Sequence, residues 1–538
     1  MKTIKFISVY FLILLSVSWL YSCNETSPET DNNQGQNNSN SGTGDKDDSD
    51  DNEGSGGDET PEDDGVVIDK ENFPFSVKAF TAKISVDTDS EENSNNKLLC
   101  LNMGYQVETD MLKGFDSNLS KEFTRWYKPI SLRFPQGAWG NFYNWETDGR
   151  SKYGDDKWNN GSFNNQMSDR VKFGIKGFAE LHKELHFGIL WVWSIGYKDE
   201  KYSQDRLRDH LAKGLDVTDV ELGNEYFWKT QRSSLIATNE MLRERTESFA
   251  KALREVKPDL RFALPFSWRK DAHDEYNRSL AMIDPSLYDA VVIHKYVHTQ
   301  SREGGDDNPG EDTDDDITGG KPQANDYFQV LTARNALKED AEYIRSIVKK
   351  PIWLTEWGVS CGDYAASYLG MADSYLYIFE NQDIYEYSAW FQTHGGNDFF
   401  ITSGTPGRPV YTKTCYAVVY DMVRSVFENG MMLGTDIQGE ELFDGVKAVN
   451  GRMVKQQDGT YKYFIVNLSN REIPVEFYVD DQEFLPNGNI ETLSFTRLDE
   501  NRTWEWKEEC LKKEQFTAKE FKLKPYSINV ISDITNLK

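Results

Sequence analysis

What most limits the folds open to this chain is an alternation that runs from Leu98 to Phe427. Short apolar runs recur, separated by turn residues and by stretches of helical period. The runs are Leu98–Met103, Ile130–Phe134, Phe187–Trp193, Val217–Leu222, Arg261–Phe266, Ala290–Tyr296, Ile352–Thr355 and Ile384–Phe391. They are apolar throughout, as in strands covered on both faces. Between them, Val171, Ile175, Phe178 and Leu185 fall on one helical face, with Ser168 placed as an N-cap. Residues 204–215 read as a helix, and Leu242, Phe249, Leu253 and Val256 line another that stops before Pro258. Leu337, Ala341, Ile344 and Val348 mark the next, followed by helices near 371–379 and 415–427. Strands alternating with helices eight times predict an α/β fold, a (β/α)8 TIM barrel over 98–430, with functional side chains at the C-terminal strand ends.

Beyond Asn429 the helical period disappears. Phe443–Met453, Tyr461–Leu468, Val475–Val479, Glu491–Phe495 and Ser527–Ile531 read as short strands, with a hairpin turn at Asp458-Gly459. Residues 431–538 are therefore expected to form a C-terminal β-sandwich, and 73–97 to supply N-terminal strands that join it. Ahead of them comes 23–72, of which 24 to about 65 is mostly Asn, Ser, Gly, Asp and Glu with almost nothing apolar. Such a segment buries too little surface to offset its ordering entropy and is expected to be a disordered acidic tether. Residues 1–22 have the form of an export signal: Lys2 and Lys5, then an apolar run from Phe6 to Leu20. Leu20-Tyr21-Ser22-Cys23 resembles a bacterial lipobox. That implies lipidation at Cys23, a mature chain beginning there, and a cell-envelope location on the outer membrane, held by the lipid anchor only.

A formal charge of −29 and a pI near 4.7 argue against nucleic acid as a partner. No cofactor motif is present. Only seven histidines occur, and His294 and His298 straddle a strand end without a third ligand at recognisable spacing, so no metal site is expected. The acidic stretch Asp306–Asp316 lacks the ordered spacing of a calcium loop and reads as a solvated insertion. Cys100, Cys361, Cys415 and Cys510 are widely spaced, and buried thiols are the expectation for them.

Two strand ends carry chemistry. Val220-Glu221-Leu222-Gly223-Asn224-Glu225-Tyr226-Phe227-Trp228 ends an apolar run in a glycine, an amide and a carboxylate. Pro351-Ile352-Trp353-Leu354-Thr355-Glu356-Trp357-Gly358 repeats the pattern. Two glutamates at the mouths of two buried strands suit glycoside hydrolysis, which needs one acid and one nucleophile or base. Glu225 among three aromatics is poorly solvated and suits the acid; Arg133, at the end of the second strand, is a cation the barrel could aim at Glu356.

With these strands placed, the chain resembles clan A of the glycoside hydrolases. Leu132-Arg133-Phe134-Pro135-Gln136-Gly137 with Asn144-Trp145, Leu222-Gly223-Asn224-Glu225, and Lys524-Pro525-Tyr526-Ser527-Ile528-Asn529-Val530 are similar to glycoside hydrolase family 51. Families 39, 79 and 30 share the strand ends. The resemblance implies Glu225 as acid/base and Glu356 as nucleophile, about 5–5.5 Å apart as in retaining enzymes. It also implies Arg133 and Tyr296 beside Glu356, and Asn224 on the sugar 2-hydroxyl. His294 is a candidate substrate ligand; Trp390, and with it Trp145 and Trp139, are candidate sugar platforms. Gln136 stands where family 51 has glycine, which leaves the substrate open. The implied function is a retaining glycosidase acting on a plant or algal polysaccharide or its oligosaccharides, with α-L-arabinofuranosidase-like action as one form. A non-catalytic glycan-binding lipoprotein and a transglycosylase are the competing readings.

Overall fold

The computed structural model describes residues 75, 77–102, 124–135, 137–146, 149–150, 174–298, 324–391, 393, 399–405, 408–501, 510–519, 521–535 and 537. The stretches expected to be an export signal (1–22) and a tether (23–72), with Cys23, and also Ser168 and the acidic stretch 306–316, lie outside them. Among the described residues no helix is long and apolar enough to cross a membrane.

Each of the eight apolar runs is a barrel strand. Cys100–Asn102, Ser131–Phe134, Gly188–Val192, Asp219–Glu221, Arg261–Pro265, Ala290–His298, Ile352–Ser360 and Tyr385–Trp390 pair in parallel, in that order, and the last closes on the first. The sixth and seventh strands outrun the apolar stretches that announced them. The seventh continues through Glu356 to Ser360 with every residue buried, so Glu356 is mid-strand rather than at a strand end. Its pairing with the sixth strand shifts register between Leu354 and Glu356, a bulge that sets Glu356 opposite His294 and Gly358 opposite Tyr296.

Helices cover the barrel where the apolar spacing placed them: Ile175–Leu185, Glu200–Ala212, Asn239–Val256, Ala333–Ile347, Ala365–Glu380 and Cys415–Phe427. A helix at Lys270–Leu280 had no signal in the sequence, because it buries only Tyr276, Asn277 and Leu280 and is polar elsewhere. Inside the barrel, Cys100, Leu190, Ala263, Ala290, Val292, Trp353, Tyr387 and Ala389 form an apolar cluster. At the N-terminal strand ends lies a charged cluster: Lys97 and Arg261 bond Asp219, and Arg261 grips Glu386 with two nitrogens.

The second sheet runs Gln482–Phe484, Ile473–Val479, Ala82–Asn93, Met431–Gln438, Val449–Lys455, Tyr461–Asn467, Ser527–Ile534, Asn487–Ser494 and Leu511–Thr517, with Lys522–Leu523 paired at one side. It forms the C-terminal β-sandwich. Ala82–Asn93 inserts between two C-terminal strands, parallel to one and antiparallel to the other. Phe443–Met453, expected as one strand, is broken by a tight hairpin at Gly445, whose φ of +73° suits glycine. Leu511–Thr517 escaped notice because its sequence, LKKEQFT, is mostly solvent-facing. Barrel and sandwich share one apolar core: Phe379 stacks on Phe427 at 4.2 Å, and Phe427 meets Phe464 edge-on at 5.9 Å.

Candidate active site

The site is built around Arg133. Its strand places the side chain inside the barrel with no exposure at all, and an ion there must be paired on every side. Nε and one terminal nitrogen donate to the two oxygens of Glu221 at 2.8 and 2.7 Å. The same terminal nitrogen donates to Asn224 Oδ1 at 2.8 Å. The other donates to Glu356 Oε1 at 2.5 Å and Asn102 Oδ1 at 3.1 Å. Asn102 is itself fixed, its amide donating to the carbonyls of Thr355 and Ala389. Every donor of the guanidinium fork thus faces an oxygen, the arrangement in which arginine is strongest.

Glu356 receives its second oxygen's bond from the Tyr296 hydroxyl, at 2.9 Å. The register explains why: Tyr296 is two residues beyond His294 and projects from the same face of the sixth strand. Gly137 comes close on the open side, where an added Cβ would lie 3.4 Å from Glu356 Oε1, and its φ of +52° also favours glycine.

Glu225 follows a sharp turn. Gly223 has φ +96°, and any Cβ there would overlap the Tyr226 ring at 1.8 Å. Glu225 itself is left-handed, φ +46°, at a cost of about 1–2 kcal/mol for a non-glycine residue. A set of amides offsets that. Asn141 brackets the backbone of Asn224, accepting from its N–H at 2.9 Å and donating to its carbonyl at 2.6 Å. Gln231 Oε1 accepts from both Asn141 and Asn224, which turns its NH2 toward Glu225 Oε2, 2.8 Å away. The other Glu225 oxygen meets His294 Nδ1 at 2.8 Å. Two of the aromatics after Glu225 pack into the core. Tyr226 and Phe227 are buried, Tyr226 against Gly223 and Phe227 among Trp268, His273 and Tyr276.

His294 joins the two glutamates. Its Nδ1 lies 3.6 Å from Glu356 Oε2 as well, and its Nε2 lies 3.2 Å from the Thr355 hydroxyl. One ligating atom from each of Glu225, His294 and Glu356 falls within 4.8 Å of the others. Burial works against charge on His294, but Glu356 and the bond to Glu225 outweigh it and hold the imidazole pKa above its ordinary value. Burial likewise opposes the Glu356 anion; His294, Arg133 and the Tyr296 bond reverse that and hold the carboxyl below the usual range. The same three residues could approach a cation. Each carboxylate oxygen already has a partner, however.

Glu225, Glu356, Arg133, Asn224, His294 and Tyr296 are therefore brought together in one site. Two expected sugar platforms are not. Trp390 has no exposure: Trp357 packs edge-on at 4.8 Å and Phe399 lies along it at 6.2 Å, so neither face is open to a sugar. Trp145, 5% exposed, stacks on Trp193 at 5.4 Å in a cluster with Tyr143, Trp191 and His210. Both belong to the core. The side chains of Trp139 and His298 lie outside the description. Glu221, Asn102, Asn141, Gln231 and Thr355 were missed. Glu221 was hidden inside a run taken as wholly apolar, and Gln231 lies in a loop with no pattern.

No family model matches the chain, and no curated protein matches it in sequence. Its fold is shared with solved structures. An α-L-arabinofuranosidase from Thermotoga maritima superposes with a TM-score of 0.64 at 14% identity, over 84% of this chain and all of that one. The family 51 arabinofuranosidase of Xanthomonas axonopodis pv. citri gives 0.63 at 12% identity, over 84% and 99%. A family 44 xyloglucanase from Paenibacillus polymyxa gives 0.56 at 12%, over 85% and 100%.

Proposed function

We propose that this chain is a retaining glycoside hydrolase, with Glu356 as nucleophile and Glu225 as acid/base. The observation that carries the reading is the asymmetry of two neighbouring carboxylates. Glu356 is held by a guanidinium and a phenol, which favour the anion a nucleophile must be. Glu225 is held by an amide and an imidazole, with which it can exchange a proton. One oxygen of each lies within 4.8 Å of one of the other, which favours the retaining separation of about 5–5.5 Å over the inverting one of about 6.5–9.5 Å. In the first step Glu356 attacks the anomeric carbon while Glu225 protonates the departing oxygen. In the second, Glu225 takes a proton from water, which displaces Glu356 with net retention. Asn224, fixed by Arg133, Asn141 and Gln231, takes the sugar 2-hydroxyl in this reading.

The fold shared with arabinofuranosidases and a xyloglucanase supports a plant or algal polysaccharide, or its oligosaccharides, as substrate, with arabinofuranosides first to be tried. The lipobox-like sequence supports attachment to the outer membrane through Cys23. Cys23→Ala should release the protein from the membrane fraction; unchanged fractionation defeats the anchor.

Azide rescue assigns the glutamates. Glu225→Ala should still form the glycosyl-enzyme from an activated aryl glycoside and then stall for want of a base. Azide needs no base and should restore turnover with retained configuration. The same anion offered to Glu356→Ala should attack directly and give the inverted azide. Products of the opposite stereochemistry mean the roles are exchanged, and full activity in either variant ends the glycosidase reading.

A further inference from the structure

Glu221 is a fully buried carboxylate that the double displacement does not use. It closes the fourth barrel strand and takes two of Arg133's donors, one on each oxygen. A bidentate pair of this kind stops the guanidinium from turning, and it spends the arginine's charge on a partner that never reacts. We propose that Glu221 is a positioning residue that orients and neutralises Arg133 in advance, so that the charge on Glu356 is balanced by a proton held at His294. Its catalytic consequence rests on the glycosidase reading; its electrostatic consequence does not.

The groups around the pair can be counted strand by strand. The first strand presents Cys100 and Asn102, and burial pushes the Cys100 thiol up to about 12, leaving it neutral. The second presents Arg133. The fourth presents Glu221 and, past Gly223, Asn224 and Glu225. The sixth presents His294 and Tyr296, and the seventh Glu356. One fixed cation therefore faces three carboxylates. If Glu221 were neutral, Arg133 and Glu356 would balance each other, and a proton shared by Glu225 and His294 would complete the site. With Glu221 charged, one carboxylate is in excess even when Glu225 is protonated. Among the described residues, His294 is the titratable group that reaches both remaining glutamates, at 2.8 and 3.6 Å. Burial opposes a proton there, and the two glutamates it touches outweigh that cost.

The test uses the full chain with isotope-labelled histidine, following the His294 imidazole by NMR against pH, alongside the pH profile of kcat/KM on an aryl glycoside. Glu221→Gln keeps the size and removes the charge. It should move the His294 midpoint to lower pH by about one unit and carry both limbs of the profile with it. Glu221→Asp keeps the charge but withdraws the fork by a methylene. It should leave the midpoints in place and lower kcat at least tenfold. An unmoved His294 midpoint in Glu221→Gln, with only thermal stability lost, makes Glu221 a structural partner and overturns the proposal. Should Glu221→Gln not fold, Glu221→Asp decides, and wild-type kcat there overturns it equally. A shifted midpoint in a protein that cleaves no glycoside sustains the proposal and removes the glycosidase reading instead.

Discussion

At the N-terminal mouth of the barrel, Lys97 and Arg261 face Asp219 and Glu386; at the C-terminal mouth, Arg133 and His294 face Glu221, Glu225 and Glu356. The first set closes on itself. Tyr387 and Trp353 add donors to Asp219 and Glu386, so two cations and two anions are each satisfied without a mobile proton. The second set does not close: fixed charges leave carboxylates in excess, and a histidine must take up the difference. Both mouths are made of similar residue types on or beside the same eight strands. The difference teaches that charge balance, more than the presence of charge, separates an end of the barrel that holds the fold from one that does chemistry.

The comparison can be broken most forcefully at Glu356. Glu356→Gln removes the proposed nucleophile, and activity on an aryl glycoside should fall on the order of 10^4-fold or more. Stability should hold or rise, since one buried carboxylate of an excess is neutralised while Arg133 keeps Glu221; urea midpoints read this directly. A large loss of stability there would mean the two ends are built alike. Arg261→Leu should do the reverse. It leaves Glu386 and Asp219 short of a partner in a part-exposed cluster and should cost about 1–3 kcal/mol, with activity per folded molecule unchanged.

A smaller effect concerns His210, a neutral polar group buried beside neither cluster. It is boxed by Trp145, Trp191 and Trp193; among the described residues neither ring nitrogen finds a hydrogen-bond partner, and the Asp209 carboxylate stands 3.9 Å from Nδ1. Burial is the main cause that pushes its pKa down to about 3. The folded pKa is below the unfolded one, so the unfolded chain binds the proton first. The stability associated with neutral His210 is full above about pH 6.5 and is lost as pH falls toward 3. His210→Phe should therefore gain about 2 kcal/mol on the wild type between pH 8 and pH 5, measured by denaturation at both. Parallel curves for the two proteins would show that His210 carries no such linkage.

The two glutamates, Arg133, Asn224, His294 and Tyr296 were legible because each ends or nearly ends an apolar run, and a parallel barrel delivers strand ends to one mouth. Trp390 and Trp145 were misread for a related reason. Position at a strand end says which mouth a residue approaches, but the pleat and the neighbouring helices decide whether its ring faces a ligand or the core. Trp390 turned toward Trp357 and Phe399, and nothing in its local sequence distinguishes that from the open side. The polar helix Lys270–Leu280 was invisible because it buries so little.

By itself, then, the sequence determined the eight-strand period, the sheet that follows it, and which side chains gather at one mouth as candidates, since those depend on local hydrophobic pattern and residue chemistry. Tertiary structure alone decided the pairing. Glu221 and Glu356 meet one guanidinium from strands far apart in the chain, and a bulge after Leu354 sets Glu356 opposite His294. Gln231 reaches Glu225 from a loop with no pattern of its own. Charge balance in a low-dielectric interior is fixed by distances of a few ångströms between such residues, and those distances exist only once the barrel has closed.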